Sequence, residues 1–80
     1  MRVLILGTGC TKCRTLEERI RQLVAKHQLD VQVDKITDLR EIMTYNIMMT
    51  PGVVVDGEIK SVGVIPKDEQ LLQWMKGASQ

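Results

Sequence analysis

The chain has 80 residues, 44% of them hydrophobic, with eleven basic and ten acidic side chains and a net charge of +1. That length and composition suit one small domain, residues 1–80, with one modest core, and the balanced, interspersed charge argues against a nucleic-acid or anionic-membrane surface. One Trp, one Tyr and no Phe leave no base-stacking platform, and two cysteines are too few for a secreted disulfide scaffold.

Val3-Leu4-Ile5-Leu6 is continuously apolar, as in a strand covered on both faces. The run is too short for a signal-peptide core or a membrane span, so the chain reads as cytoplasmic. There, a Cys-x-x-Cys is more often catalytic or metal-binding than structural. After the small-residue loop Gly7-Thr8-Gly9 comes Cys10-Thr11-Lys12-Cys13. Leu16, Ile20, Leu23, Val24 and His27 then recur at helical spacing, which predicts a helix from about Thr11 to about Gln28. Cys10 thus stands at a helix N-terminus, where unpaired amides and the positive end of the helix dipole favour a thiolate. Cys13 lies on the same face and within reach of it. A bridge between them closes a tiny loop and adds little stability, so the pair is better explained by chemistry. The chemistry left open is dithiol/disulfide exchange or soft-metal binding.

Leu29, Val31 and Val33 alternate with Asp30, Gln32 and Asp34, which predicts a half-exposed edge strand. Asp38 with Glu41 resembles a capping box. A short helix is expected to about Tyr45, with Asn46 as a left-handed cap. Pro51 precedes a second continuously apolar strand, Gly52-Val53-Val54-Val55, and Asp56-Gly57 marks a tight hairpin. Glu58 to Val62 returns as a more polar strand. Pro66 is expected to open the last helix, with Asp68 and Glu69 in its first turn and Lys76-Gly77 at its close, leaving Ala78-Ser79-Gln80 to fray. The order is βαβαββα. Placing the two apolar strands centrally gives a mixed four-stranded sheet of order 2-1-3-4 in an α/β fold. Strands 1 and 2 are parallel through a right-handed crossover, and strand 3 is antiparallel to strand 1.

With these elements in hand, the chain resembles the thioredoxin-fold proteins, and among them the small archaeal and bacterial thioredoxins, also called redox-active disulfide proteins or glutaredoxin-like thioredoxins. The resemblance rests on Gly9-Cys10-Thr11-Lys12-Cys13, on Tyr45-Asn46-Ile47-Met48-Met49-Thr50-Pro51, and on Val62-Gly63 with Pro66-Lys67. It implies a protein-disulfide reductase in which Cys10 is the nucleophile and Cys13 the resolving thiol. It further implies that Thr50 and a cis Pro51, with Gly9, Thr11, Lys12 and Gly63, meet the substrate. No metal or other cofactor is implied beyond the redox-active Cys10–Cys13 disulfide. The implied partners are protein disulfides and a thioredoxin-reductase-type flavoenzyme, and the implied state is a monomer. Two departures stand out. The pair is preceded by Gly9 and filled by Thr11-Lys12 rather than set in Trp-Cys-Gly-Pro-Cys. The strand at 3–6 also carries no carboxylate to take the proton of Cys13.

Three alternatives use the same cysteines. A glutathione-dependent glutaredoxin is disfavoured by the absence of an aromatic between them and of a Gly-Gly-x-Asp near the last helix, where Gly63 is followed by Val64. A copper- or zinc-carrier domain has the order βαββαβ and no need of Thr50-Pro51. A redox-sensing interaction module is the third. Lys12 is either a thiolate partner or a solvated lysine, and Gly63 either a close-approach or a plain turn glycine. Met48 and Met49 offer a soft docking surface, with at least one of them expected in the core. Tyr45 and Trp74 read as packing residues. His27 lies roughly 20 Å from Cys13 along the helix and is read as a helix-end residue.

Overall fold

A computed structural model describes residues 1–77, so the expectation for Ala78-Ser79-Gln80 lies outside the described residues. Strand β1 (Arg2–Leu6) leads into helix α1 (Thr11–His27), strand β2 (Gln32–Ile36), helix α2 (Leu39–Met43), the hairpin β3 (Gly52–Val55) and β4 (Glu58–Val62), and helix α3 (Asp68–Gly77). The sheet order is β2-β1-β3-β4. β1 runs parallel to β2 and antiparallel to β3, which is antiparallel to β4. The expected α/β architecture and strand order are therefore present.

The continuous apolar runs pay both faces of the sheet. Val3, Ile5, Val53 and Val55 pack against Leu16, Ile20 and Leu23 of α1 and against Leu71 and Met75 of α3. Leu6 and Val54 face the other way, onto Ile42 of α2, with Tyr45 and Ile47 around them. Alternate residues of one strand thus serve two cores, which is why Val3–Leu6 and Val53–Val55 carry no polar residue. Trp74 packs at the edge of the first cluster, so both aromatic side chains serve packing as expected.

Element ends differ from the sequence expectation in three places. The second strand covers Gln32–Ile36, not Leu29 to Asp34. The amide of Leu29 is taken by the helix end, donating to Val24 O at 3.0 Å beside the bond from Gln28 to Ala25 O. With Gln28 left-handed at φ 52, this is a Schellman stop built without glycine. Strand pairing then begins where Gln32 meets Arg2 and ends where Ile36 meets Leu6, so the partner sets the limits. The second helix ends its regular part at Met43 and tightens through three-residue bonds, with Tyr45 N donating to Ile42 O and Asn46 N to Met43 O, both at 3.0 Å. Asn46 then takes φ 58. Pro66 does not open the last helix. The first helical bond runs from Leu71 N to Lys67 O at 3.0 Å, so Lys67 is the flanking residue and Pro66 sits one residue outside, buried.

Candidate functional site

β1 carries the chain to one end of the sheet, and Gly7-Thr8-Gly9 turns it into α1. Cys10 is the residue just before α1, with extended backbone (φ −65, ψ 166), and its sulfur accepts the Cys13 amide at 3.2 Å. A sulfur thus occupies the N-cap position that a serine or aspartate oxygen usually fills. The two sulfurs are bonded to each other, with a Cα–Cα distance of 5.0 Å that an unforced disulfide accepts. Their environments differ sharply. Cys10 is exposed, whereas Cys13 is only 5% exposed inside the first turn. Thr11 and Lys12 are exposed beside them, as is Gly9 at φ 98. The first turn of α1 holds no acidic residue, while Lys12 and Arg14 lie at its start. That reverses the usual preference of helix N-termini for acids and suits a thiolate at Cys10.

The register brings the second half of the site to the same end. Gly52 pairs with Leu6 and with Val62, so the residues just before β3 and just after β4 border the loop that follows β1. Those residues are Thr50-Pro51, joined by a cis peptide bond, and Gly63. Pro51 is fully buried, Thr50 half-buried. Gly63 adopts φ 78 and donates its amide to Pro51 O at 2.8 Å. A side chain on Gly63 would meet Met49 Cβ at 3.1 Å. Neither neighbouring methionine is in the core, contrary to the expectation for at least one. Met48 is 94% and Met49 62% exposed, and neither packs on a cluster, although the adjacent Ile47 does. Val64 is exposed as well. His27 lies exposed at the far end of α1.

Sequence reasoning missed two features. Glu17 lies one helical turn below Cys13 and is only 19% exposed; together they line a cavity of about 30 Å³ with Gly7, Arg14 and Lys35. Arg21 Nε donates to Glu17 Oε2 at 3.0 Å, and Lys35 Nζ lies 3.5 Å from Oε1. The Arg21 hydrogen bond, helped by the charges of Lys35 and Arg21, outweighs desolvation and holds this carboxyl below its ordinary value. The spacing Cys13-x-x-x-Glu17 was the available signal. The second feature is Gly7, whose Cα lies so close to the Cys13 sulfur that a Cβ there would collide with it. Nothing in the local sequence marks that contact.

Among the described residues, no group of three or more His, Cys, Asp or Glu side chains is placed to hold a metal ion. No helix among them is long and apolar enough to cross a membrane.

The chain is similar to two curated archaeal proteins named thioredoxin. One, from Methanothermobacter thermautotrophicus, is 34% identical over 71 residues, which span 89% of this chain and 92% of the relative. The other, from Methanocaldococcus jannaschii, is 35% identical over 74 residues, which span 92% of this chain and 85% of the relative. The family model described as a thioredoxin domain matches residues 1–76. With the sheet order and the bonded Cys-x-x-Cys at the head of α1, these similarities establish that the chain belongs to the thioredoxin family.

Proposed function

We propose that Cys10 is the attacking thiolate and Cys13 the resolving thiol of the protein-disulfide oxidoreductase that this thioredoxin-family chain constitutes. The observation that carries the assignment is the asymmetry of the pair: the Cys10 sulfur is an exposed helix N-cap and the Cys13 sulfur is buried behind it. In the dithiol form, Cys10 thiolate attacks one sulfur of a substrate disulfide. One substrate thiolate leaves and a mixed disulfide forms. Cys13 then loses its proton and attacks the Cys10 sulfur, expelling the second substrate thiolate, and the Cys10–Cys13 bond closes. Two electrons and two protons have passed to the substrate, so no bound cofactor enters the cycle. The cavity shared with Glu17 and Lys35 has room for one water and gives the Cys13 proton a polar exit.

Protein disulfides are the substrate class in this reading, and a thioredoxin-reductase-type flavoenzyme restores the dithiol. The chain serves as an electron carrier in the cytoplasm, as a monomer and as one domain over residues 1–80. Thr50 and the cis Pro51, with Gly9, Thr11, Lys12 and Gly63, form the rim on which an extended substrate segment rests. The shared sheet end supports that rim. Insulin-disulfide reduction tests the reading, driven in turn by dithiothreitol, by NADPH with a thioredoxin reductase, and by glutathione. Turnover with the first two is expected. Turnover with glutathione alone would make the chain a glutaredoxin, and none with any reductant would end the redox reading.

A further inference from the structure

Gly7 is the first residue after β1 and is buried. Its amide donates to Ile36 O at 3.0 Å, which ties its backbone to β2. A Cβ built on it would lie 3.0 Å from Cys13 Cβ and deep inside the contact radius of Cys13 Sγ. Ordinary contact between such atoms begins at about 3.5 Å. The backbone on one side is held by the sheet ladder, and the sulfur on the other is held by its bond to Cys10.

We propose that Gly7 is a positioning residue that sets the balance between the disulfide and dithiol forms, by leaving empty the space the bonded Cys13 sulfur occupies. The effect depends on redox state. While Cys13 is bonded to Cys10, its sulfur cannot swing away from residue 7 without moving the start of α1. Once the bond is reduced, the Cys13 sulfur is no longer tethered and is free to take another staggered position about its Cα–Cβ bond. A methyl group at residue 7 therefore burdens the oxidised form more than the reduced one. By linkage, that difference appears in full as a shift in the redox equilibrium. With glutathione as reference, two glutathione thiols reduce the Cys10–Cys13 bond. The bond breaks, each sulfur gains one electron and one proton, and one glutathione disulfide forms. Filling the space makes the protein a stronger oxidant, and the native glycine keeps it a reductant. The inference rests on the reading that Cys10–Cys13 is the bond made and broken in turnover.

The test is Gly7→Ala, equilibrated in glutathione redox buffers and quenched by thiol trapping. The equilibrium constant is expected to move at least tenfold toward the dithiol, about 30 mV per tenfold change. Melting is expected to show a larger loss for the oxidised variant than for the reduced one. Equal losses in the two forms with an unchanged equilibrium constant would overturn the proposal. Should the oxidised variant not fold, the comparison moves to a Cys13→Ala background, where the sulfur is absent. Gly7→Ala costing less there than in the intact protein supports the proposal, and an equal cost overturns it. If instead the unsubstituted protein exchanges with no thiol buffer at all, the redox reading fails, while the Cys13→Ala comparison still reports on the contact.

Discussion

The amide of Gly63 donates to the carbonyl of Pro51 across 2.8 Å, tying the residue after β4 to the residue before β3. This bond closes the end of the sheet at which β1 runs on toward the disulfide, and Met49 lies against Gly63. Because Gly63 holds φ 78, any L side chain there is strained as well as crowded. Gly63→Ala is expected to lower stability by about 1–2 kcal/mol, a loss of several degrees in melting temperature for a domain of this size. KM for insulin should rise, while alkylation of the reduced Cys10 proceeds at its original rate. A variant of unchanged stability would show that the turn relaxes freely.

The unequal burial of the two cysteines gives a direct chemical expectation. Iodoacetamide at mildly acidic pH should modify Cys10 before Cys13 in the reduced protein, as read by peptide mass. Cys13→Ser should accumulate a mixed disulfide with substrate, and Cys10→Ser should be inactive. Prior labelling of Cys13 would exchange the roles.

Lys12 and Arg14 place two cations in the first turn of α1, which holds no acid. Replacing both with Gln is expected to slow Cys10 alkylation at mildly acidic pH, and only modestly because the side chains are exposed to screening solvent. The difference should shrink as salt is added. An unchanged rate would leave the helix terminus as the thiolate's sole support and Lys12 as a solvated side chain.

Glu17 has its carboxyl held below the ordinary value of 4.5, first by the hydrogen bond from Arg21 and then by the charges of Lys35 and Arg21, against the opposing effect of burial. A group depressed in the folded state stabilises that state above its unfolded pKa, and the contribution disappears as pH falls through the lower folded value. The window therefore begins near pH 4.5 and extends below it. Glu17→Gln is expected to flatten the fall in melting temperature between about pH 5 and pH 3, compared with the unsubstituted chain. Parallel curves for the two proteins would place the acid sensitivity elsewhere.

The exposed Met48 and Met49 lead into the cis Thr50-Pro51 bond and serve neither core. Met48→Glu should change stability by no more than about 0.5 kcal/mol, yet raise KM for a protein disulfide several-fold with kcat little altered. Unchanged KM would remove this segment from the docking rim.

Much of the fold was legible because its rules are local. Continuous apolar runs at Val3–Leu6 and Val53–Val55 marked the strands with two covered faces, and the mixed runs marked the edges. The N-cap position of Cys10 followed from where the helical spacing begins. What stayed hidden depends on partners distant in sequence. The limits of β2 come from β1, and the crowding at Gly7 comes from a sulfur reached only after the chain turns. The exposure of Met48 runs against its own hydrophobicity, which is all that the local sequence offers. The Glu17–Lys35 approach joins a helix to a strand across the crossover, which no spacing rule within one element encodes.

Neither hydrophobic cluster contains Cys10 or Cys13. The reactive segment hangs from the end of the sheet, and its exposed positions 11 and 12 touch neither core. Exchange of those two residues should therefore retune reactivity without the compensating changes that an interior substitution demands. Libraries randomised at Thr11 and Lys12 should yield mostly folded members with widely spread rates, and slow amide exchange in β1 and β3 should persist across them. At positions 11 and 12, chemistry is thus open to variation apart from architecture.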